Sequence, residues 1–469
     1  ISRQAAHCVS ALGYQDNTGD DREGEWSRPG VLDFDVAGAS AKVTWEISDN
    51  LSLISITAYD ETDKLYEEDT DASPQSFLEA TYNVDSETFS QEFRLVGNSD
   101  SSNWLLGFFY LDEELNQDQT VDLFRDLRPI FGFNPDLGTF FSRHVHQQET
   151  TTWAVYGQVE YQLAEQWLLT GGLRYTQEDR DFSAQVAFEE PDFSIPLVDF
   201  ADDIDNDNTS GRLALNYYPN EDWMLYGSVT TGFKSGGFPG VFGFSPEEYQ
   251  GYDPEEITAY EVGFKSTLAD SRVQLNGAAF FYDYMDIQVY QILESDSPIP
   301  VQRLTNGGDA EIFGGELELT AQPAEGLYLL LGLAYLDTEF QDLTFGDLDL
   351  SGNSLATAPE WSGNGLARYD WSLGNGGGVY AQVDFTYSDE YFFDVFNTAH
   401  ASQEAYTLWG ARAGYLSPNQ NWELAVWGKN LTDEDYFATG LDLGEAFGQV
   451  EMIPTRPLMY GVELRVHFN

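Results

Sequence analysis

The chain has 469 residues, with 80 Asp and Glu against 21 Lys and Arg, so its formal net charge is −59. A surface this acidic repels phosphate backbones and excludes nucleic acid as a partner. No run of about 18 apolar residues occurs, which excludes a transmembrane helix, and the single cysteine, Cys8, excludes an intramolecular disulfide. Aromatic residues make up 15% of the chain beside 43 Gly, a mixture that predicts a mostly β protein.

The first residues, ISRQAAHCVSALGY, lack an initiator Met and the basic-then-apolar pattern of a signal peptide. We therefore expect the natural N-terminus to have been processed away or to lie outside this sequence. The mean hydropathy of −0.37 is typical of soluble proteins. A membrane β-barrel shows similar values, because half of each of its strands faces water.

Alternating segments begin near residues 39–47 and recur to the end of the chain. In each segment apolar or aromatic residues share one face and polar residues share the other, a period of two that predicts β-strands. A soluble sandwich alternates in the same way, so the pattern alone leaves both folds open. The clearest apolar faces are Trp153, Val155, Val159, Tyr161 and Leu163; Leu213, Leu215 and Tyr217; Leu317 and Leu319; and Tyr460, Val462, Leu464, Val466 and Phe468.

Two kinds of connection alternate strictly along the chain. Short polar turns are predicted at residues 48–50, 98–103, 164–166, 219–222, 269–271, 323–326, 374–377 and 417–421. Long polar connections are predicted at residues 60–86, 112–150, 178–208, 234–256, 283–309, 337–360, 388–404 and 432–456. A membrane barrel sorts its loops in this way, with brief periplasmic turns and long outer loops, whereas a soluble sandwich has no reason to do so.

Aromatic residues stand just after several short turns, as in the interfacial girdle of an outer-membrane barrel. These residues are Trp104, Trp167, Trp223, Tyr328 and Trp422. The sequence therefore predicts an all-β, transmembrane antiparallel β-barrel with about 17 strands in this chain.

The direction of the strands predicts where the ends of the chain lie. The last strand follows a long loop and runs inward, and counting back makes the first strand run inward too. We therefore expect residues 1–38 to be part of an extracellular loop and residues 39–469 to be barrel. Complete single-chain barrels normally have an even strand number, so the odd number of strands predicted here indicates the C-terminal part of a longer protein.

Several motifs, taken in order, resemble TonB-dependent outer-membrane receptors of the ferric-siderophore-receptor-like branch. They are ETFSQEFRLVG at residues 87–97, WLLGFFYLDEE after it, YGSVTTGFKSGGF at 226–238, EEITAYEVGFKSTLAD at 255–270, GGELELTAQP, and KNLTDEDYF. The similarity runs from about Gly30 to the end of the chain.

The resemblance implies an outer-membrane protein of a Gram-negative bacterium with a barrel of about 22 strands and an N-terminal plug, which is absent from this chain. It implies active uptake of a scarce ligand, with a ferric siderophore as the first expectation and carbohydrate, cobalamin or another chelate as alternatives. The implied partners are TonB with its inner-membrane energising complex, acting through the missing N-terminal part, the barrel-assembly machinery, and outer-membrane lipid and lipopolysaccharide. In this family a terminal aromatic strand serves as the assembly signal, which Tyr460, Val462, Leu464, Val466 and Phe468 resemble.

Substrate contacts are predicted among polar and aromatic residues near the outer mouth, because ferric siderophores are often anionic or aromatic chelates that suit cations and ring faces. The candidates are Arg125, Arg128, Phe233, Lys234, Tyr249, Tyr252, Trp361, Tyr391, Phe392 and Phe393. Each could instead contribute only to loop packing. Leu329, Leu331 and Leu333 break the pattern, since the inner face of that strand is expected to be polar; packing against a plug would explain them, and so would a register shift or a β-bulge.

No resident cofactor is predicted. His144 and His146 are placed on one side of an extended segment and are weak candidates for a metal or metal chelate, although the sequence offers no nearby third ligand. DTDAS and DDIDNDN resemble calcium loops but lack the glycine and distal glutamate of an EF-hand, so solvated acidic loops are the preferred interpretation.

Three other interpretations stay open. A passive porin fits the strand number, and a soluble sandwich fits the alternation. An enzyme would need a nucleophile with histidine and acid partners, and no such group is evident, so we do not expect an enzyme.

Overall fold

The computed structural model describes residues 14, 23–70, 73–130, 132, 140–189, 192–293, 301–345, 348–443 and 449–468. His7, Cys8 and part of the DTDAS motif lie outside these residues. Within them, seventeen strands form one antiparallel sheet in which each strand pairs with its neighbours along the chain, so the all-β prediction is confirmed. No helix among the described residues is long and apolar enough to cross a membrane.

The strands of the main sheet are β1 (Val31–Ser48), β2 (Leu51–Asp69), β3 (Leu78–Asn98), β4 (Ser102–Leu123), β5 (Phe141–Ala164), β6 (Trp167–Glu189), β7 (Ser194–Asn220), β8 (Trp223–Lys234), β9 (Glu255–Leu268), β10 (Val273–Met285), β13 (Ala310–Ala324), β14 (Leu327–Phe340), β17 (Trp361–Ser372), β18 (Gly378–Ser388), β21 (Tyr406–Leu416), β22 (Trp422–Lys429) and β25 (Met459–Val466). Four hairpins in the outer connections are β11 (Gln288–Leu293) with β12 (Val301–Asn306), β15 (Thr344–Phe345) with β16 (Leu348–Asp349), β19 (Tyr391–Phe392) with β20 (Ser402–Gln403), and β23 (Phe437–Leu443) with β24 (Gln449–Pro454).

Three of the predicted long connections are mostly strand. Strands β2, β4 and β6 continue through residues 60–69, 112–123 and 178–189. Their partners β3, β5 and β7 return alongside them. β1 also begins at Val31 rather than near residue 39. The outward faces of these extensions are mostly polar, so the period of two that marks membrane strands is weakened although the backbone ladder persists. The inward faces of β6 and β7 carry the buried Phe182, Ala184, Val186 and Val198.

The strands differ in length between the two halves of the sheet. β1 to β7 contain 18 to 27 residues each, whereas the main-sheet strands from β8 onward contain 8 to 15. Crossing a bilayer needs about 9–11 residues of tilted strand. The first seven strands therefore extend well beyond the bilayer on the outer side, and their inner faces form the wall of the mouth.

The three leucines expected on the inner face of β14 lie on the outer one. Leu331 and Leu333 pair with Leu319 and Leu317 of β13, and directly opposed residues share a face. Leu317 and Leu333 are exposed on the outside of the sheet. The inner placement was wrong, and of the explanations offered the register shift accounts for it: a shift of one residue exchanges the faces.

A row of carboxylates crosses the outward faces of β2 to β7. Each member directly opposes the next one in the adjacent strand, and each is exposed. None forms an ion pair with Lys or Arg in the described part of the chain. We call this set the carboxylate row, and its members are Glu61, Glu87, Glu114, Glu149, Asp181 and Asp203.

The carboxylate row lies just beyond the apolar outer band, two residues from the exposed Phe89 on β3. Flanking carboxyl pairs are also close together: a hydrogen bond with Asp63 raises the pKa of Asp85, and the negative charge of Asp179 raises the pKa of Asp205. A carboxyl whose pKa is raised on folding binds its proton more tightly in the folded state. These groups therefore destabilise the fold at neutral pH, and this effect disappears as the pH falls through their folded pKa values.

Glu114→Gln is expected to stabilise the protein by about 0.5 kcal/mol, because Glu114 faces Glu87 and Glu149 on its two neighbours and opposed like charges are unfavourable. The gain should shrink at high salt, which screens exposed charges. Urea unfolding at low and high sodium chloride measures both effects. Glu165→Gln, in the short turn after β5, is the control; an equal gain there would show that the row has no special repulsion.

Candidate functional site

The candidate site lies on the inner wall of the mouth, where residues 235–254 between β8 and β9 pack against β5, β6 and β7. We call these residues the inner segment. On β5, Val155 and Val159 are exposed on the outward face, so residues of the opposite parity, such as His144 and His146, point inward. The inner segment covers this inward surface.

Local interactions give the inner segment a defined shape. Gly237 and Tyr252 form an antiparallel bridge, with N–O distances of 3.0 and 2.9 Å. A short 3₁₀ helix, Pro246–Tyr249, begins with a capping box between Ser245 and Glu248, which satisfies backbone donors at its start.

Tyr249 anchors the inner segment to β5. It is fully buried, and its hydroxyl lies 3.3 Å from His144 Nδ1 and 3.4 Å from His146 Nε2. The hydroxyl also lies 3.0 Å from the Gly243 carbonyl oxygen, and it accepts a hydrogen bond from Gly243 N. The rings around it form a cluster, whose buried members are Phe182, Ala184, Val186, Val198, Phe238 and Tyr249.

The two histidines are held in the neutral form. Burial lowers the pKa of His144 to about 3, with a further contribution from His146, and burial lowers the pKa of His146 to about 4. Their neighbours are uncharged: Ser142 lies 2.9 Å from His144 Nε2, and Gln117 lies 3.4 Å from His146 Nδ1. A site that disfavours an imidazolium ion also disfavours a buried metal cation without a counter-charge.

Acidification is expected to release the inner segment. When the segment opens, each histidine regains its ordinary pKa of 6.5, so protonation favours the open state. The contribution of the neutral histidines to the stability of the closed inner segment is complete above pH 6.5 and falls as the pH drops toward 4. At pH 5 the loss is about 2 kcal/mol per histidine.

Hydrogen exchange of the amides at residues 237–252, corrected for intrinsic rates, measures this opening at pH 7 and pH 5. The double variant His144→Gln with His146→Gln should show much less pH dependence. Equal protection of the natural protein at both pH values would contradict the prediction.

Tyr252 lies beside a cation that sequence reasoning missed. A Cβ added to Gly237 would lie 2.5 Å from Arg180 Nη1 and 2.9 Å from Tyr252 Oη, so glycine permits this close approach. Arg180 is itself paired with Glu178 at 2.7 Å. Burial raises the pKa of Tyr252, and the charge of Arg180 opposes this increase.

Lys234 and Phe233 end β8 and point to opposite sides. Lys234 Nζ lies 3.9 Å from Glu255 Oε1 on the inner face, and 61% of its side chain is exposed. Glu255 also accepts hydrogen bonds from Tyr284 and from the Gln288 backbone. Phe233 is on the same face of β8 as the exposed Val229. It therefore points outward and cannot contact a ligand inside the mouth.

Arg125 and Arg128 form a clamp at the tip of β3 and β4. Both guanidinium groups bind the carboxylate of Asp122. Asp122 lies directly opposite Glu79, and both residues belong to the outward faces of their strands. Arg128 is 2% exposed and also donates to the Leu123 carbonyl. The structure therefore does not bring these two arginines together with Lys234 and Tyr252.

The remaining candidates lie in the second half of the sheet. Trp361 packs against Tyr335, with ring centroids 4.8 Å apart, and this pair shares the outward face with Leu333. Tyr391 and Phe393 are 5.4 Å apart at the β19 hairpin, and the Phe392 carbonyl accepts from Thr357 N. Trp361 thus belongs to the outer girdle, and the other three form a separate aromatic group.

A half-buried patch on the inner faces of β2 and β3 was not predicted. Lys64 Nζ lies 5.5 Å from the centre of the Tyr66 ring, and Tyr66 stacks on Tyr82 with centroids 5.7 Å apart. Tyr82 in turn contacts Phe242 of the inner segment. A hydrogen bond with Glu68 raises the pKa of Tyr66 to about 12. We call Lys64, Tyr66 and Tyr82 the inner patch; no motif signals it.

Among the described residues, no group of three or more His, Cys, Asp or Glu side chains is arranged to hold a metal ion. His144 and His146 do lie on one side of β5, but Tyr249 occupies the space between them. His400 and His467 are exposed and far from both in sequence.

The comparisons with known sequences agree on one family. A sequence model described as "TonB dependent receptor-like, beta-barrel" matches residues 5–431. The pesticin receptor of Yersinia pestis is 25% identical over 325 residues, which cover 68% of this chain and 44% of that protein. The metal-pseudopaline receptor CntO of Pseudomonas aeruginosa is 24% identical, covering 73% of this chain and 44% of that protein. The chain therefore spans less than half the length of these curated relatives.

Solved structures share the fold. The ferric yersiniabactin uptake receptor FyuA from Yersinia pestis superposes with a TM-score of 0.76 at 18% identity, over 93% of this chain and 61% of that one. The siderophore receptor PiuA from Acinetobacter baumannii gives a TM-score of 0.71 at 18% identity, over 94% and 65%. The copper transporter OprC gives 0.70 at 15% identity, over 93% and 65%.

Proposed function

Because the chain belongs to the TonB-dependent receptor-like β-barrel family, we propose that its natural protein takes up a scarce ligand actively across the outer membrane. The family places the chain in the outer membrane of a Gram-negative bacterium. The family match over residues 5–431 is the observation that carries the proposal. Energy comes from TonB and its inner-membrane complex, so passage is gated, unlike the diffusion expected of a passive porin.

The proposed ligand is a ferric siderophore. The relatives in support are named for pesticin, metal-pseudopaline and ferrioxamine B, and a structural neighbour is named for ferric yersiniabactin. Uptake of another metal chelate is the second candidate, supported by the metal-pseudopaline receptor. The proposal assigns the mouth residues to ligand binding and passage rather than to catalysis.

The inner patch is the proposed contact surface for the chelate. Lys64 supplies a positive charge in a chain whose net charge is −59, and Tyr66 and Tyr82 supply ring faces that remain half-exposed. An anionic aromatic chelate matches both features through charge attraction and stacking. Lys234 and Tyr252 offer a similar combination on β8 and the inner segment, and they form the second half of the proposed surface.

Uptake of radioactive iron from ferric yersiniabactin and from ferrioxamine B tests the function in cells that produce the natural full-length protein. We expect uptake of at least one complex to require an intact tonB gene and to stop when a protonophore collapses the membrane potential. Equal iron entry with and without TonB would identify a passive channel. Failure of both complexes, with TonB-dependent uptake of another chelate, would reassign the ligand but keep the class.

The surface assignment is tested with Lys64→Gln and with Tyr66→Leu. Each is expected to weaken binding of the transported complex about tenfold while leaving surface expression unchanged. Arg143→Gln is the control, because Arg143 stands above the membrane on the outward face and is 49% exposed. An equal effect of the control would assign the loss to general electrostatics.

The closing strand remains the proposed assembly signal. Val462, Leu464 and Val466 oppose Val426, Leu424 and Trp422 on β22, so they lie on the lipid-facing side. Tyr460 and Phe468 are 81% and 93% exposed, available to the assembly machinery.

A further inference from the structure

A small pocket opens at the outer ends of β18 and β21. Its volume is about 320 Å³, and it is lined by Tyr387, Tyr406, Thr407, Trp409, Thr432 and Glu434, with Ala405 at its edge. We call it the rim pocket. Tyr387 lies opposite Thr407, and Phe385 lies opposite Trp409. All four residues share a face of the sheet with the exposed Val383. The pocket therefore opens on the outward face, at the outer boundary of the apolar band, and is distinct from the inner wall of the mouth.

The turn after β22 holds one wall of the pocket rigidly. Leu431 N donates to the Trp409 carbonyl at 2.9 Å. The buried Asn430 side chain accepts from Glu434 N at 2.8 Å and donates to the Glu434 carbonyl at 2.9 Å. Asn430 and Asp433 adopt positive φ values of 50° and 53°, conformations that asparagine and aspartate tolerate. These contacts fix Glu434 against the aromatic wall.

Three polar side chains of the pocket are uncommitted. Glu434 is half-buried, and within the described residues its carboxylate forms no ion pair or side-chain hydrogen bond. The hydroxyls of Thr407 and Thr432 likewise make no hydrogen bond in the described part of the chain. A carboxylate without a protein partner is free to accept a charge-assisted hydrogen bond from a cationic ligand.

Charge decides the ligand class. No Lys or Arg lines the pocket, and the Glu434 carboxylate repels phosphate and carboxylate ligands. Aromatic ring faces carry negative potential and attract cations, and rings beside a carboxylate are the arrangement that recognises ammonium groups. Trp409, 40% exposed, offers such a face beside Tyr387. A neutral ligand would use neither attraction.

We propose that the rim pocket binds an ammonium group, with Glu434 as its counter-charge and with Trp409 and Tyr387 packing around it. The position on the outward face admits an ammonium from a lipid headgroup, and the opening also admits a soluble amine. The hydroxyls of Thr407 and Thr432 complete the polar side of the site. This site is independent of the proposed uptake function.

The natural full-length protein in a non-ionic detergent is titrated with choline chloride in a calorimeter, with sodium chloride at equal ionic strength as the blank. In parallel, native mass spectrometry measures which lipids stay bound after incubation with phosphatidylethanolamine and phosphatidylglycerol. Saturable choline binding supports the site. Selective retention of phosphatidylethanolamine supports it too and identifies a lipid as the source. Absence of both results overturns the proposal.

Glu434→Gln and Trp409→Leu are each expected to weaken the observed binding at least tenfold. Glu404→Gln and Trp361→Leu, which change the same residue types outside the pocket, should leave it unchanged. If Trp409→Leu fails to show heat-modifiable gel migration, Trp409→Phe replaces it and should retain part of the affinity. Unchanged binding in the folded Glu434 and Trp409 variants would overturn the assignment.

Discussion

Tyr249→Ala is expected to detach the inner segment from the wall of the mouth. The side chain is fully buried among Phe182, Phe238 and the two inward histidines. Truncating a large buried aromatic side chain costs about 3–5 kcal/mol through lost contacts and the cavity that remains. Because Tyr249 is the fully buried contact of the inner segment with β5, this loss should appear as local opening around residues 242–249. Chymotrypsin added to whole cells should then cleave after Phe242 or Phe244, which the natural protein protects.

Two further variants separate packing from hydrogen bonding. Tyr249→Phe keeps the ring and removes the hydroxyl, and we expect about 1 kcal/mol of destabilisation from the lost hydrogen bonds. Tyr290→Ala removes a ring that is 61% exposed and should leave cleavage unchanged. Slow cleavage of Tyr249→Ala, at the rate of the natural protein, would show that the inner segment does not depend on this anchor.

Arg412→Ala is expected to destabilise the last four strands of the sheet by about 3 kcal/mol. Arg412 donates to Tyr380 at 2.7 Å and binds Glu423 and Glu463, each at 3.1 Å. Its side chain is 23% exposed, and Glu423 is 14% exposed. Removing one partner of a buried ion pair costs about 3–5 kcal/mol because the other charge is left uncompensated. Because Arg412 and Glu423 remain partly exposed, we expect a loss of stability at the lower end of this range.

Arg465→Ala is the matched control. Arg465 belongs to the same cluster and binds Glu463 at 2.7 Å, but its side chain is 56% exposed, so its loss should cost less than about 1 kcal/mol. Arg412→Lys keeps the charge and loses the fork that reaches three acceptors, so we expect an intermediate value. Urea unfolding from lipid vesicles ranks the three. Similar losses for Arg412→Ala and Arg465→Ala would contradict the importance of burial.

The strands inside the bilayer could be predicted because lipid and water impose opposite demands on alternate residues. The eight short turns were found for the same reason, since polar residues interrupt that alternation. The extensions of β2 to β7 were missed because their outward faces are mostly polar, as exposed loops are. The partners of inward apolar residues such as Phe182 and Val186 lie in the inner segment, which is distant in sequence. Thr62 and Ser86, for example, were predicted as loop residues but lie directly opposite each other in a ladder.

The candidate site was predictable in part. The spacing of His144 and His146 placed them on one side of an extended segment, as the structure has them, but nothing near them in sequence announces Tyr249, more than a hundred positions away. Phe233 and Trp361 were chosen for residue type and height alone. The face of the sheet on which each of them lies depends on the strand register. Register is defined by the pairing of strands and cannot be read from one strand alone.

The carboxylate row also has a consequence for the ions around the protein. Neighbouring strands lie about 4.8 Å apart, whereas two unit charges in water must be about 7 Å apart before their repulsion falls to thermal energy. Six like charges at this spacing form a short polyelectrolyte, comparable in line density to a nucleic acid strand. Cations therefore condense along it as a diffuse sheath without any coordinating site. Each change in ionic strength adds or removes part of that sheath, so the outer surface above the bilayer carries a salt-dependent effective charge.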